Sequence, residues 1–177
     1  FDLDALEAAI TAGPRIVFLS SPWNPVGPAL SAADLQRLLK AVKPGTLFVL
    51  DEAYFEFADP GSVDGLGALR DSGVPHVVLR TFSKAYGLAG LRVGYAVCSD
   101  ARIARLVAAA KTPFNVNAAA QLAAIAALAL AVQLFDSAPQ AAKLRASLPP
   151  PASTWTTPLV SIVWDRAADA GYDRIRA

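Results

Sequence analysis

Residues 15–52 read RIVFLSSPWNPVGPALSAADLQRLLKAVKPGTLFVLDE, and their pattern decides the fold. Arg15 to Ser20 is a short, almost continuous apolar run, followed by a turn-rich stretch from Ser21 to Pro28. Ser31 suits the start of a helix, because its hydroxyl can accept a backbone N–H from the first turn. Leu35, Leu38 and Leu39 then recur at helical spacing through about Val42, and Lys43-Pro44-Gly45 ends the helix. Thr46 to Leu50 is a second apolar run, ending at Asp51-Glu52. Strands that are apolar throughout, separated by an amphipathic helix, mark a mostly parallel sheet covered on both faces.

The same alternation extends in both directions. Asp2 to Ala12 reads as a helix with Leu3, Leu6 and Ile10 on one face, stopped by Gly13-Pro14. Val63 to Asp71 reads as a helix, His76 to Arg80 as a third strand and Leu91 to Val97 as a fourth. Ser99 is placed to cap a helix running to about Lys111, and no internal repeat is visible. Leu148-Pro149-Pro150-Pro151 breaks the chain, and Leu159 to Trp164 reads as a strand of a following unit. The expected division is therefore 1–147 for the main α/β domain and 148–177 for a linker and the start of a smaller one.

Composition excludes several function classes. Sixteen basic and fifteen acidic residues leave a net charge of +1, which offers no electrostatic case for nucleic acid or an anionic membrane. A single cysteine, Cys98, cannot build a disulfide framework and fits a reducing, cytoplasmic setting. The acidic start Phe1-Asp2-Leu3-Asp4 lacks the basic and apolar regions of a signal peptide. Ala118 to Phe135 is almost wholly apolar, but alanine-dominated and interrupted by Gln121 and Gln133. It reads as a buried or partner-facing helix rather than a membrane span. No Cys/His cluster suggests a metal, and the absence of methionine suggests a piece of something longer.

Chemistry concentrates in Thr81-Phe82-Ser83-Lys84-Ala85-Tyr86-Gly87-Leu88-Ala89-Gly90-Leu91-Arg92-Val93-Gly94-Tyr95. A lysine sits just past a strand end, flanked by hydroxyls, with an arginine eight residues on and glycines that permit close backbone approach. Lysine becomes a nucleophile toward carbonyls when desolvation or a nearby cation favours the neutral amine. Hydroxyls and a fork-shaped guanidinium suit an anion such as a phosphate. Taken alone, S-x-K is weak, since a lysine near glycines is usually a solvated loop. Asp51 adds a second sign, because a carboxylate at the end of an apolar strand is expensive without a partner. His76, before a strand, reads as a hydrogen-bonded edge residue, and Glu52 need not pair with Asp51, because strand neighbours point to opposite faces.

The 81–95 segment resembles the Schiff-base segment of fold-type I pyridoxal-phosphate (PLP) aminotransferases, particularly the histidinol-phosphate aminotransferase branch. Ser21-Pro22-Trp23-Asn24-Pro25-Val26-Gly27 is similar to that family's N-P-x-G loop. Asp51-Glu52-Ala53-Tyr54 matches its D-E-A-Y strand end, and Pro113-Phe114-Asn115-Val116-Asn117 a P-F-N-V-N run. The resemblance runs from Phe1 to about Ala131. It implies part of a three-layer α/β/α PLP-transferase large domain, with pyridoxal 5'-phosphate as cofactor.

By resemblance, Lys84 holds the cofactor covalently and then acts as general base. Asp51 pairs with the protonated pyridine nitrogen, and Asn24 and Tyr54 meet the phenolic oxygen. Thr81, Ser83 and Arg92 hold the phosphate. The implied reaction is transamination between an amino-acid-like donor and a 2-oxo acid, with histidinol phosphate and 2-oxoglutarate, hence histidine biosynthesis, as the best single pairing. Aromatic amino-acid aminotransferases share the same segments, so aromatic donors stay open. So do a decarboxylase of the threonine-phosphate type and a fragment without activity. The resemblance also implies a homodimer.

Trp23 stands where the family usually has asparagine, and Val26 where it usually has threonine. The family's N-terminal third and its substrate-carboxylate arginine have no counterpart here. Arg166, Arg174 and Arg176 lie in no matching motif.

Overall fold

The computed structural model describes residues 1–59 and 61–134. The expected strand at Leu159–Trp164, the boundary near 147 and Arg166, Arg174 and Arg176 lie outside the described residues. The chain forms two compact units, Phe1–Arg80 and Thr81 onward.

The first unit alternates helix and strand as the sequence pattern requires: α1 (Leu3–Thr11), β1 (Ile16–Ser20), α2 (Ala32–Ala41), β2 (Leu47–Asp51), α3 (Gly65–Arg70) and β3 (His76–Thr81). The last residue of β3, Thr81, opens the second unit. β1 pairs with β2 and β2 with β3, both in parallel. The register sets Ser20 opposite Asp51 and Asp51 opposite Leu79, so the carboxyl ends of the three strands coincide. Ser31 caps α2 in a full capping box, its hydroxyl accepting from Asp34 N at 3.1 Å while the Asp34 carboxylate accepts from Ser31 N at 3.0 Å. Asp2 caps α1, its carboxylate accepting from Ala5 N. Arg37 of α2 forms ion pairs with Asp4 and Glu7 of α1. These pairs are solvent-exposed and contribute little to stability.

Leu35, Leu38 and Leu39 of α2, Leu66 and Leu69 of α3, Phe48 and Leu50 of β2 and Val78 of β3 make the core. Expectation and structure part at β1. The apolar run predicts burial on both faces, which holds for β2, yet Ile16 is 58% and Phe18 62% exposed. Val17 and Leu19 are half-buried, so β1 is covered on one face only by the described residues. A run of apolar residues reports what a strand is built to bury, and in β1 half of that capacity stays on the surface.

In the second unit, residues 82–93 form a loop with a short 3₁₀ turn at Ala89–Leu91, followed by β4 (Gly94–Cys98), α4 (Ala101–Ala109) and α5 (Ala118–Leu134). The fourth strand thus begins at Gly94 rather than Leu91, because Arg92 adopts a left-handed conformation that ladder pairing does not permit. The cap of α4 is Asp100, not Ser99: Asp100 Oδ1 accepts from Ile103 N at 2.9 Å, and Ser99 Oγ donates to Asp100 Oδ2. A carboxylate accepts the N-terminal amides better than a hydroxyl, since it also faces the positive end of the helix dipole. Cys98 is buried, and that burial pushes its thiol up to about 11. Along α5, Ala120, Ala124 and Leu128 recur every four residues and are buried, whereas Leu122 and Leu130 are exposed. No described helix is long and apolar enough to cross a membrane.

Gly65, the first residue of α3, sits against the end of β2. A methyl group there would overlap Leu50 Cδ2 and Glu52 Oε1. Leu50 is fully buried and Glu52 is tied by hydrogen bonds, so neither can yield cheaply. Gly65→Ala should therefore destabilise the protein by about 1–3 kcal/mol, the usual cost of overpacking. Its urea unfolding midpoint should fall while the helical circular-dichroism signal of the folded state is kept.

Candidate cofactor site

The strand ends of the first unit carry the first group of residues. After β1 the chain turns through Ser21 to Leu30, and the loop is closed at its base. Ser21, 6% exposed, accepts from the backbone N–H of the fully buried Leu30 at 2.9 Å. Trp23 N donates to Pro28 O at 2.9 Å, and Gly27 N donates to Trp23 O. The Ser21–Pro22 and Asn24–Pro25 peptide bonds are cis. Asn24 is exposed in this loop. The two departures from the family pattern leave it so. Trp23 stacks on Phe1, with centroids 5.8 Å apart, and Val26 is 59% exposed.

Asp51, the last residue of β2, is half-buried. Its carbonyl accepts from Ser21 N, and its Oδ1 accepts from Ala53 N, both at 2.9 Å. The side chain is thereby fixed through one oxygen, and no partner of Oδ2 is recorded among the described residues. Tyr54 follows, half-buried, its ring 6.4 Å from that of Phe57.

Glu52 faces the opposite way, as neighbours on an extended strand must. It is 2% exposed and its Oε2 accepts from Arg80 Nε at 2.9 Å and from Nη2 at 2.7 Å. Oε1 accepts from Gly65 N at 2.8 Å. Arg80 Nη2 also reaches Asp64 Oδ1 at 3.1 Å, and the Phe55 ring covers the guanidinium, its centroid 3.8 Å from Cζ. Burial pushes the Glu52 carboxyl up, against the pull of Arg80 in the other direction. The sequence reading gave Arg80 no role. The available signal was a charged residue at the end of the run His76-Val77-Val78-Leu79, which is built for the interior.

The second group, Thr81, Ser83, Lys84 and Arg92, lies on the single loop that opens the second unit. Phe82 anchors this loop: it is 1% exposed, and its ring lies 5.0 Å from Tyr86 and 5.6 Å from Tyr95. Its amide donates to Val93 O at 3.1 Å and its carbonyl accepts from Leu88 N at 2.9 Å, closing the loop at both ends. Between those ends Lys84 O accepts from Gly87 N at 2.9 Å, a turn completed by Gly87 at φ +69°. Lys84 and Arg92 are exposed, and Thr81 and Ser83 half-buried. Thr81 Oγ1 accepts from Ser83 N at 3.0 Å, so this hydroxyl shapes the turn.

Arg92, at φ 54° and ψ 50°, stores the strain of a left-handed non-glycine residue, and its Nη1 donates to Ala89 O at 2.8 Å. Of the other residues singled out from sequence, His76 is 4% exposed with Nδ1 2.8 Å from Val74 O. Asn117, given no role beforehand, caps α5, its Oδ1 accepting from Ala120 N at 2.9 Å. Among the described residues no group of three or more His, Cys, Asp or Glu could hold a metal ion.

Set beside known proteins, residues 1–148 match the family described as Aminotransferase class I and II. An aromatic amino acid aminotransferase of Rhodococcus opacus (strain B4) is 53% identical over 135 residues, covering 76% of this chain and 37% of that protein. Histidinol-phosphate aminotransferase 3 of Rhizobium meliloti (strain 1021) is 49% identical over 127 residues, covering 71% and 34%. Among solved structures, histidinol-phosphate aminotransferase from Sinorhizobium meliloti in complex with pyridoxal-5'-phosphate aligns with a TM-score of 0.66 at 37% identity. That alignment covers 76% of this chain and 36% of the other. The chain spans about a third of the length of the relatives it matches.

The closed base of the Asn24 loop gives a direct test. Ser21→Ala leaves the buried Leu30 N–H without its acceptor, at a cost of about 1–3 kcal/mol. The unfolding midpoint should drop accordingly, and amide exchange should quicken across residues 22–30 more than across α2.

Proposed function

Because the chain belongs to the class I and II aminotransferase family, we propose that it carries the cofactor-handling part of a pyridoxal-phosphate transaminase, with Lys84 as the residue that holds the cofactor. The observation that supports this reading is the closed loop around Phe82, which carries Ser83, Lys84 and Arg92 on one anchored backbone.

The residues present fit the group. Asp51 has one carboxylate oxygen tied to Ala53 N and the other directed to no described partner, which suits a protonated ring nitrogen. The Ser83 hydroxyl and the Arg92 guanidinium suit a phosphate dianion, and the Thr81 hydroxyl, which accepts from Ser83 N, fixes the backbone at Ser83. Asn24 and Tyr54 supply donors for a phenolate oxygen. When bound, pyridoxal phosphate supplies an electron sink for the negative charge that develops at the substrate α-carbon.

The protein residues divide the remaining work. Asp51 holds a proton on the ring nitrogen by its negative charge. Arg92 and Ser83 hold the phosphate, so the reacting atoms keep one orientation. Lys84, through its ε-amine, anchors the cofactor and then takes and returns the proton of the substrate α-carbon. Its exposure in this loop leaves desolvation of the amine to the bound ligands.

We assign the amino donor to histidinol phosphate with 2-oxoglutarate as acceptor, in a homodimer. The 53% identity to an aromatic amino acid aminotransferase supports aromatic donors as the second reading. Steady-state rates of the whole protein with histidinol phosphate, phenylalanine and aspartate separate the two, since the preferred donor will show the highest kcat/KM.

Added pyridoxal phosphate should give a visible absorbance band that borohydride makes permanent, and peptide mapping should find the label on Lys84. A label on another lysine would remove the assignment. Lys84→Ala should abolish the adduct and keep the fold, because the side chain is exposed and the loop is anchored by the buried Phe82. Asp51→Ala should lower kcat by a factor of roughly a hundred or more, about 3 kcal/mol in the barrier. Asp51→Glu should be milder, and a near-normal rate for Asp51→Ala would make this carboxylate a bystander.

A further inference from the structure

Arg80 is 3% exposed and touches the segment 52–55 at both ends. At one end its Nε and Nη2 donate to Glu52 Oε2. At the other, the Phe55 ring lies over its guanidinium. Between those two contacts the chain carries Ala53 and Tyr54, and immediately before them Asp51. Backbone bonds fix the start of the segment, Asp51 O accepting from Ser21 N and Glu52 N donating to Leu79 O, both at 2.9 Å. Beyond them Phe55 N donates to Glu52 O at 3.0 Å, and the Asp51 carboxylate accepts from Ala53 N. Asp64 and Gly65 N complete the shell around the two charges.

Stability alone is a poor reason for this arrangement. A buried ion pair loses the hydration of both charges, and apolar side chains of similar volume often hold a core as well or better. What an ion pair with directed hydrogen bonds provides is one geometry, where apolar packing tolerates several. The geometry at stake is the path of residues 51–55, with Glu52 turned inward and Asp51 therefore turned outward.

We propose that Arg80 and Glu52 are positioning residues for the cofactor site, a clamp that sets Asp51 and Tyr54 where they meet the cofactor ring. This rests on the reading of Asp51 and Tyr54 given above. Neither Arg80 nor Glu52 touches the ring. Their effect passes through the backbone from Glu52 to Asp51 on one side, and from Phe55 to Tyr54 on the other.

The test uses the whole protein loaded with pyridoxal phosphate and the pH midpoint of the bound cofactor's absorbance, with Asp51→Asn as the benchmark for a lost ring contact. Arg80→Lys keeps the charge but loses the fork, and Glu52→Gln keeps the shape but loses the charge. Both should move the midpoint toward the Asp51→Asn value. Asp64→Asn, at a partly exposed position, should move it less in the same direction and keeps the test open should the buried variants fail to fold.

Leu38→Ala, a core truncation in α2, should lower the melting temperature and leave the midpoint alone. In an Asp51→Asn background Arg80→Lys should add no further shift, because its route to the ring has been removed. Variants that melt earlier but titrate like the wild type would overturn the proposal and leave the assignment of Asp51 standing. A wild-type protein with no cofactor-dependent band would overturn that assignment and this proposal together.

Discussion

Parallel pairing of β1, β2 and β3 places one demand on the chain that the rest of the first unit answers. Each strand must start from the same edge, so a helix has to carry the chain back between one strand and the next. The carboxyl ends then gather on one side, where Ser20, Asp51 and Leu79 stand in register. Loops leaving those ends are spared ladder pairing and can take shapes that chemistry needs. Everything polar that the proposed function uses in this unit leaves from there. The opposite ends carry only turns such as Lys43-Pro44-Gly45, where Gly45 supplies a φ of +89°.

A shape on a loop is useful only if it is held, and the two units hold theirs differently. In the first, small hydrogen bonds do it: Ser21 closes one loop, and Asp51 folds back on Ala53. Behind them stands the Arg80–Glu52 pair, expensive in desolvation and intolerant of change at Gly65. In the second unit one aromatic ring does most of the holding. Phe82 places its side chain among Tyr86 and Tyr95 while both its backbone groups close the loop. Lys84 and Arg92 can therefore stand exposed on a backbone that is fixed beneath them. The left-handed Arg92 is the cost of returning the chain into β4 within two residues of the 3₁₀ turn.

The sequence shows which of these features rest on local physics. Helices α1 and α2 were readable from leucine spacing and cap residues, and strands β2 and β3 from apolar runs between turns, because local preference and burial agree there. Asp51 and Lys84 were singled out because residue type and spacing are themselves the signal, and the roles they carry are those of the proposed function. Phe18 was misread because a strand's apolar content does not state what lies over it. The start of β4 was displaced because φ at Arg92 is a property of the closed loop, not of arginine. Ser99 lost the cap to Asp100, two adequate residues side by side being a contest that only geometry decides. Arg80 was passed over since its partner Glu52 lies 28 positions away, beyond any local pattern.

The near equality of two similarities also follows from this division of labour. The chain is 53% identical to an aromatic amino acid aminotransferase over 135 residues and 49% to a histidinol-phosphate aminotransferase over 127. An aromatic side chain and a phosphate-bearing one demand opposite surroundings: an apolar slot in one case, cations and donors in the other. Residues that recognised the donor would be expected to separate those relatives. In the proposed function Asp51, Lys84 and Arg92 act on what every such donor shares, an amine, an α-hydrogen and the cofactor that receives them. On that proposal the choice of donor falls not to Asp51, Lys84 and Arg92 but to side chains that meet the rest of the substrate. Within the described residues Trp23 and Val26 are the two that depart from the family pattern beside an assigned residue, and Trp23 is turned onto Phe1. In the proposed function the cofactor chemistry and the choice of donor are thus separable properties of the sequence, and this stretch is assigned the first.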